Sequence, residues 1–136
     1  MFGINRNQHP PIRTLIGEGT LIKGELRFSD GLRVDGEVLG DVIAVGAGRS
    51  LLVIGEKASI TGRVHAAHVI VNGLVRGPLE CEQLLELQPK ARIEGDVRYL
   101  KLEIHQGAQV HGELRPLDAS IEEEDKPALK LASSKG

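Results

Sequence analysis

The chain has 136 residues, a net charge of −2 and 26% charged side chains. That length allows about one domain, and that charge balance excludes a general electrostatic attraction to nucleic acid. Aromatic residues make up only 2% (Phe2, Phe28 and Tyr99) against 17 glycines, so the interior must be filled by small aliphatic side chains and not by stacked rings.

Residues 1–13 form an N-terminal tail with little periodicity, interrupted by Pro10 and Pro11. Its tip carries Met1, Phe2 and Ile4, followed by Arg6. A short apolar tip beside a cation is suited to insertion at an anionic membrane surface. The bland alternative is an ordinary frayed terminus. The tip lacks the long apolar core of a signal peptide, and no apolar run in the chain approaches the ~20 residues of a membrane-spanning helix. A single cysteine, Cys81, leaves no intramolecular disulfide and fits a reducing compartment. The expected location is the cytoplasm.

From Thr14 to Leu117 the sequence repeats. Leu52, Ile54, Ala58, Ile60, Gly62 and Val64 set a spacing that returns at Leu85, Leu87, Ala91, Ile93, Gly95 and Val97. It returns again at Leu102, Ile104, Ala108, Val110, Gly112 and Leu114. Two shorter variants run from Leu32 to Val42 and from Val69 to Leu79, and the first unit opens at Ile16. The second apolar positions are 16, 34, 54, 71, 87 and 104, giving steps of 18, 20, 17, 16 and 17 residues. Within a unit the apolar rhythm is two, as in strands, and no stretch sustains a helical rhythm. Glycine falls where the rhythm breaks, which marks corners at Gly24, Gly40, Gly62, Gly77, Gly95 and Gly112. Three short strands and three corners per unit use about this many residues, so the predicted fold is an all-β parallel β-helix of about six coils with flexible termini. The register also points Phe28, Ala44, Ala66, Cys81 and Tyr99 inward. The sixth unit has Pro116 there, which should end the sheet because proline lacks an N–H. The extra residues between Ile43 and Ser50 predict a bulged loop. Residues 118–136, with Glu122, Glu123, Glu124 and Asp125, read as a disordered charged tail.

The phrases Ile22-Lys-Gly-Glu-Leu26, Val34-Asp-Gly-Glu-Val38-Leu-Gly-Asp-Val42, Ile60-Thr-Gly-Arg-Val64 and Ile93-Glu-Gly-Asp-Val97 together resemble the bactofilins, a bacterial polymer-forming cytoskeletal family. The resemblance spans about residues 14–117, between short termini. It implies a right-handed β-helix, non-polar filaments formed without nucleotide, frequent attachment to the inner face of the cytoplasmic membrane, and a scaffolding role in cell shape, cell-wall synthesis or polar organisation. Cell-wall or morphogenesis proteins would then be partners.

A solenoid leaves unpaired backbone groups and a half-covered core at each end, which repeat proteins usually cover with a polar cap. Neither flank here reads as an amphipathic cap. Ile16, Ile22, Leu26 and Phe28 at the first coil, and Leu102, Ile104, Val110 and Leu114 at the last, are therefore the expected polymerisation surfaces.

Chemistry is not expected. His65, His68, His105 and His111 fall on outward parity and read as surface histidines, although histidine zinc sites do occur on β-helices. Asp and Glu are spread over outward positions without a paired set for acid–base work. Cys81 reads as buried filler, and no Gly-Lys-Ser/Thr phosphate loop is present. No cofactor or metal is expected. The competing reading is a hexapeptide-repeat acyltransferase on a left-handed β-helix. It requires strict six-residue repeats, whereas these units waver in length and carry the glycine phrase about once per coil.

Overall fold

The computed structural model describes residues 10–46 and 49–117, which contain fifteen strands and no helix. They stack as six coils. The first holds β1 (Ile12–Ile16), β2 (Leu21–Lys23) and β3 (Leu26–Phe28); the second holds β4 (Asp30–Val34), β5 (Glu37–Leu39) and β6 (Val42–Ala44). The third holds β7 (Ser50–Ile54), β8 (Ser59–Thr61) and the start of β9 (Val64–Val71). The fourth takes the rest of β9, β10 (Leu74–Arg76) and the start of β11 (Leu79–Leu87). The fifth takes the rest of β11, β12 (Arg92–Glu94) and the start of β13 (Val97–Ile104), and the sixth ends on β14 (Gln109–His111) and β15 (Leu114–Pro116).

Stacking gives three faces. Face I lies just after the corner glycines, from β3 to β15. Face II follows it, from β1 through β4 and β7 to the second half of β13. These two belong to one bent nine-stranded sheet. Face III is the six-stranded sheet ordered β14-β12-β10-β8-β5-β2. Strands pair in parallel throughout, for example Val75 with Ile60 on one side and Ile93 on the other.

The parallel β-solenoid of about six turns is therefore the observed architecture. It differs from three separate strands per coil in one respect. In β9, β11 and β13 faces I and II are joined by one continuous strand, and the bend appears as a register shift between Cys81 and Leu84. A bulge turns the chain there without breaking the ladder, so no glycine is needed. In the first two coils the same corner breaks the strand. Asp30 takes a positive φ of 64° at one break, and the other lies between β6 and β7, where the sequence carries its insertion.

The alternation of apolar and polar residues fixes which side chains enter the core. Leu32, Leu52, Val69 and Leu85 form one inward column, and Val34, Ile54, Val71 and Leu87 form the next; all eight are fully buried. Val38, Ile60, Val75 and Ile93 supply the column from face III. Phe28, Ala66, Cys81 and Tyr99 are buried as the register requires, with Ala44 packed against them and Pro116 half-buried at the end of β15. The corner between faces II and III is a tight turn repeated down the stack: Ala58 N–H donates to Gly55 C=O at 3.0 Å and Ala91 N–H to Gln88 C=O at 2.9 Å. Side chains patch the irregular points. Ser50 Oγ accepts from Ala67 N–H at 2.8 Å, and Asp41 and Asp96, one residue past corner glycines, accept from Arg63 N–H at 2.9 Å and Glu113 N–H at 3.1 Å in the following coil.

Candidate polymerisation ends

The inward columns run to both ends of the stack. At the last coil, Ile104 continues the column of Ile54 and Leu87 through its pairing with Leu87. Leu87 is fully buried, yet Ile104 is 38% exposed, because no further coil among the described residues lies over it. Leu102 and Leu114 continue fully buried columns in the same way and are only half-buried, while Val110 sits at 9%. At the first coil, Ile16 and Phe28 are buried and Ile22 and Leu26 half-buried. The eight expected interface residues thus lie on the interior columns of the two terminal coils, four at each end.

The open edges are unequal. Face III ends in β2 and β14, which carry no proline. Face I ends in β15, where Pro116 stands beside Tyr99 and offers no N–H, and Pro10 and Pro11 precede β1 on face II. At the last coil the edges of face III and of face II, the second half of β13, are thus free of proline. Met1, Phe2, Ile4 and Arg6 of the membrane-binding tip lie outside the described residues, as does the charged tail 118–136.

His65 Nε2 lies 3.0 Å from Glu82 and His105 Nε2 3.4 Å from Glu86, each pair bridging adjacent coils on the outer surface. Among the described residues no three His, Cys, Asp or Glu side chains converge as a metal set would. Cys81 is fully buried; its Sγ donates toward the carbonyls of Ala67 at 3.1 Å and Leu84 at 2.9 Å. Burial pushes its thiol up to about 11, which disfavours the thiolate that nucleophilic chemistry needs. No helix among the described residues is long and apolar enough to cross a membrane.

Exposed aliphatics outside the core had received no role from the repeat pattern. Leu15 is 61% exposed on face II, and Leu100 is 43% exposed at the corner of faces I and II. Val53 and Ile70 stand between them on outward parity, half-buried in successive coils. The signal was available in the runs Leu51–Ile54 and Val69–Val71, where apolar residues occupy outward as well as inward positions.

A family model described as "Bactofilin: Polymer-forming cytoskeletal" matches residues 14–115. The chain is 28% identical over 99 residues to Bactofilin BacP of Myxococcus xanthus; the match takes in 73% of this chain but only 40% of that longer relative. A cryo-EM reconstruction of Thermus thermophilus bactofilin double helical filaments is similar with a TM-score of 0.68 and 29% identity, over 76% of this chain and 99% of that one. A six-coil solenoid whose apolar columns reach both terminal coils and a family match across nearly all of its coils establish that this chain belongs to the bactofilins, the polymer-forming cytoskeletal family.

Proposed function

We propose that this chain is a scaffold that self-assembles end to end, by stacking of its terminal coils, into filaments that need no nucleotide. The observation that carries this reading is the exposure of Ile104 beside the complete burial of Leu87, one coil below it in the same column. A second coil stacked on that end would finish both the column and the backbone ladder. The likeness to double helical filaments of the Thermus protein favours two strands wound together. The family resemblance favours like ends meeting, hence a non-polar strand. The apolar tip Met1, Phe2 and Ile4 with Arg6 favours attachment to an anionic membrane at its cytoplasmic face, where the polymer would organise cell-shape or cell-wall machinery. One such tip binds weakly, and a filament displaying many multiplies it.

The test is electron microscopy and sedimentation of purified chain without added nucleotide. Wild type is expected as filaments, and Ile104→Arg or Leu114→Arg as folded monomers or small oligomers. Equal polymerisation of all three would overturn the stacking mechanism, and a requirement for ATP or GTP would overturn its nucleotide independence.

A further inference from the structure

The outer side of face II carries a ladder of Leu15, Arg33, Val53, Ile70, Glu86 and Glu103, one per coil, and beside it on the same parity runs a second row, Leu51, His68, Leu84 and Lys101. Apolar residues occupy the two middle coils. Arg33 stands in the coil before them, 2.9 Å from Asp35, and Glu86 in the coil after, 3.0 Å from Gln88 and 3.4 Å from His105. The corresponding outward ladder of face I is broken by charge in its middle coils, where His65, Glu80 and Arg98 follow one another. Face III likewise shows Thr61, Arg76 and Glu94.

We infer that face II is the lateral contact between two strands of the polymer, and that the two solenoids meet it in opposite directions. This rests on the end-to-end, two-stranded reading above. Two identical faces pressed together are related by a two-fold axis lying in the plane between them. With that axis along the strands, coil three of one solenoid faces coil four of the other. Val53 then meets Ile70 of the second copy, and Arg33 meets its Glu86. Each contact occurs twice, so two apolar pairs are flanked by two opposite-charge pairs. With the axis along the solenoid instead, coils of equal rank meet, and Arg33, Glu86 and Glu103 each come level with their own like charge, which is unfavourable. Taken through the ladder itself, the antiparallel register is the one that sets its opposite charges together, with Leu15 level with Glu103 at the rim. A non-polar strand, in which subunits alternate in direction, lets its neighbour offer that register along its whole length. Each patch is small; repetition along the polymer supplies the strength.

Strand number per filament in electron micrographs tests this. Wild type is expected as paired strands, and Val53→Asp/Ile70→Asp as single strands that still polymerise. Arg33→Glu or Glu86→Arg alone should lower the paired fraction roughly fivefold, and the Arg33→Glu/Glu86→Arg double variant should restore it. Single strands in the wild type would overturn the proposal and leave face II to a partner protein. Paired strands in Val53→Asp/Ile70→Asp would also overturn it, and single swaps that split the strands without rescue by the double swap would overturn the antiparallel register. Absence of any wild-type filament would instead remove the polymer reading, and the lateral contact with it.

Discussion

Gly77 lies against Gly62 so closely that no side chain fits between them: a Cβ placed on Gly77 would fall on the carbonyl oxygen of Gly62. Gly77 also has a φ of 146°, a region L-residues rarely adopt. The Gly77→Ala variant is expected to lose on the order of 3 kcal/mol, from strain plus displacement of rigid backbone. Gly17 is the control, because a Cβ there meets nothing within 4 Å. Gly17→Ala is expected to stay within about 0.5 kcal/mol of wild type. Chemical denaturation of both variants checks the pair, and equal losses would show that the glycine column is not a steric requirement.

Ile54 and Ile104 occupy the same column but different surroundings. Ile54 is fully buried at mid-stack, and Ile54→Ala is expected to cost about 2–5 kcal/mol. Ile104 is 38% exposed, so Ile104→Ala is expected to cost about 1 kcal/mol or less in the unassembled chain. Its effect should appear instead as a raised critical concentration for polymerisation. Denaturation below that concentration and light scattering above it separate the two effects.

Cys81 makes stability depend on alkaline pH. Its thiol ordinarily titrates near 9.0 and is held up at about 11 by burial in the folded chain. Below 9 the thiol is protonated in both states and contributes no pH dependence. Between 9 and 11 the unfolded chain releases a proton that the folded chain keeps, so stability falls as pH rises, by about 2–3 kcal/mol across the window. The Cys81→Ala variant should lack that part of the slope when urea midpoints are compared at pH 8 and pH 10.5. Identical slopes would place the alkaline sensitivity elsewhere.

Membrane attachment is expected to reside in Phe2 and Ile4. Phe2→Glu should reduce co-sedimentation with anionic vesicles several-fold while leaving filaments intact, since each tip contributes about 2 kcal/mol of apolar insertion and the polymer supplies the valency. If wild type and variant pellet equally, attachment lies elsewhere in the chain. If the variant also loses its filaments, the tip belongs to the assembly interface.

The strand rhythm, the six-fold repeat and the glycine corners were determined by the sequence alone, because a stacked fold makes each residue's environment depend on its position within the repeat. Ile60, Val75 and Ile93 share one environment, and their periodic spacing announces it. The insertion after Ile43 and the proline at 116 were legible for the same reason: each breaks a pattern already set. Only the tertiary structure decided how faces I and II join. A bulge such as that between Cys81 and Leu84 leaves no residue signature of its own, since many side chains tolerate it. The difference between Leu87 and Ile104 was likewise invisible in the chain, as burial there depends on whether another coil lies above. The ladder joining Arg33 to Val53, Ile70 and Glu86 needed the register most of all. These residues are separated by 16 to 20 positions along the chain, and only the parallel pairing sets their side chains in one line.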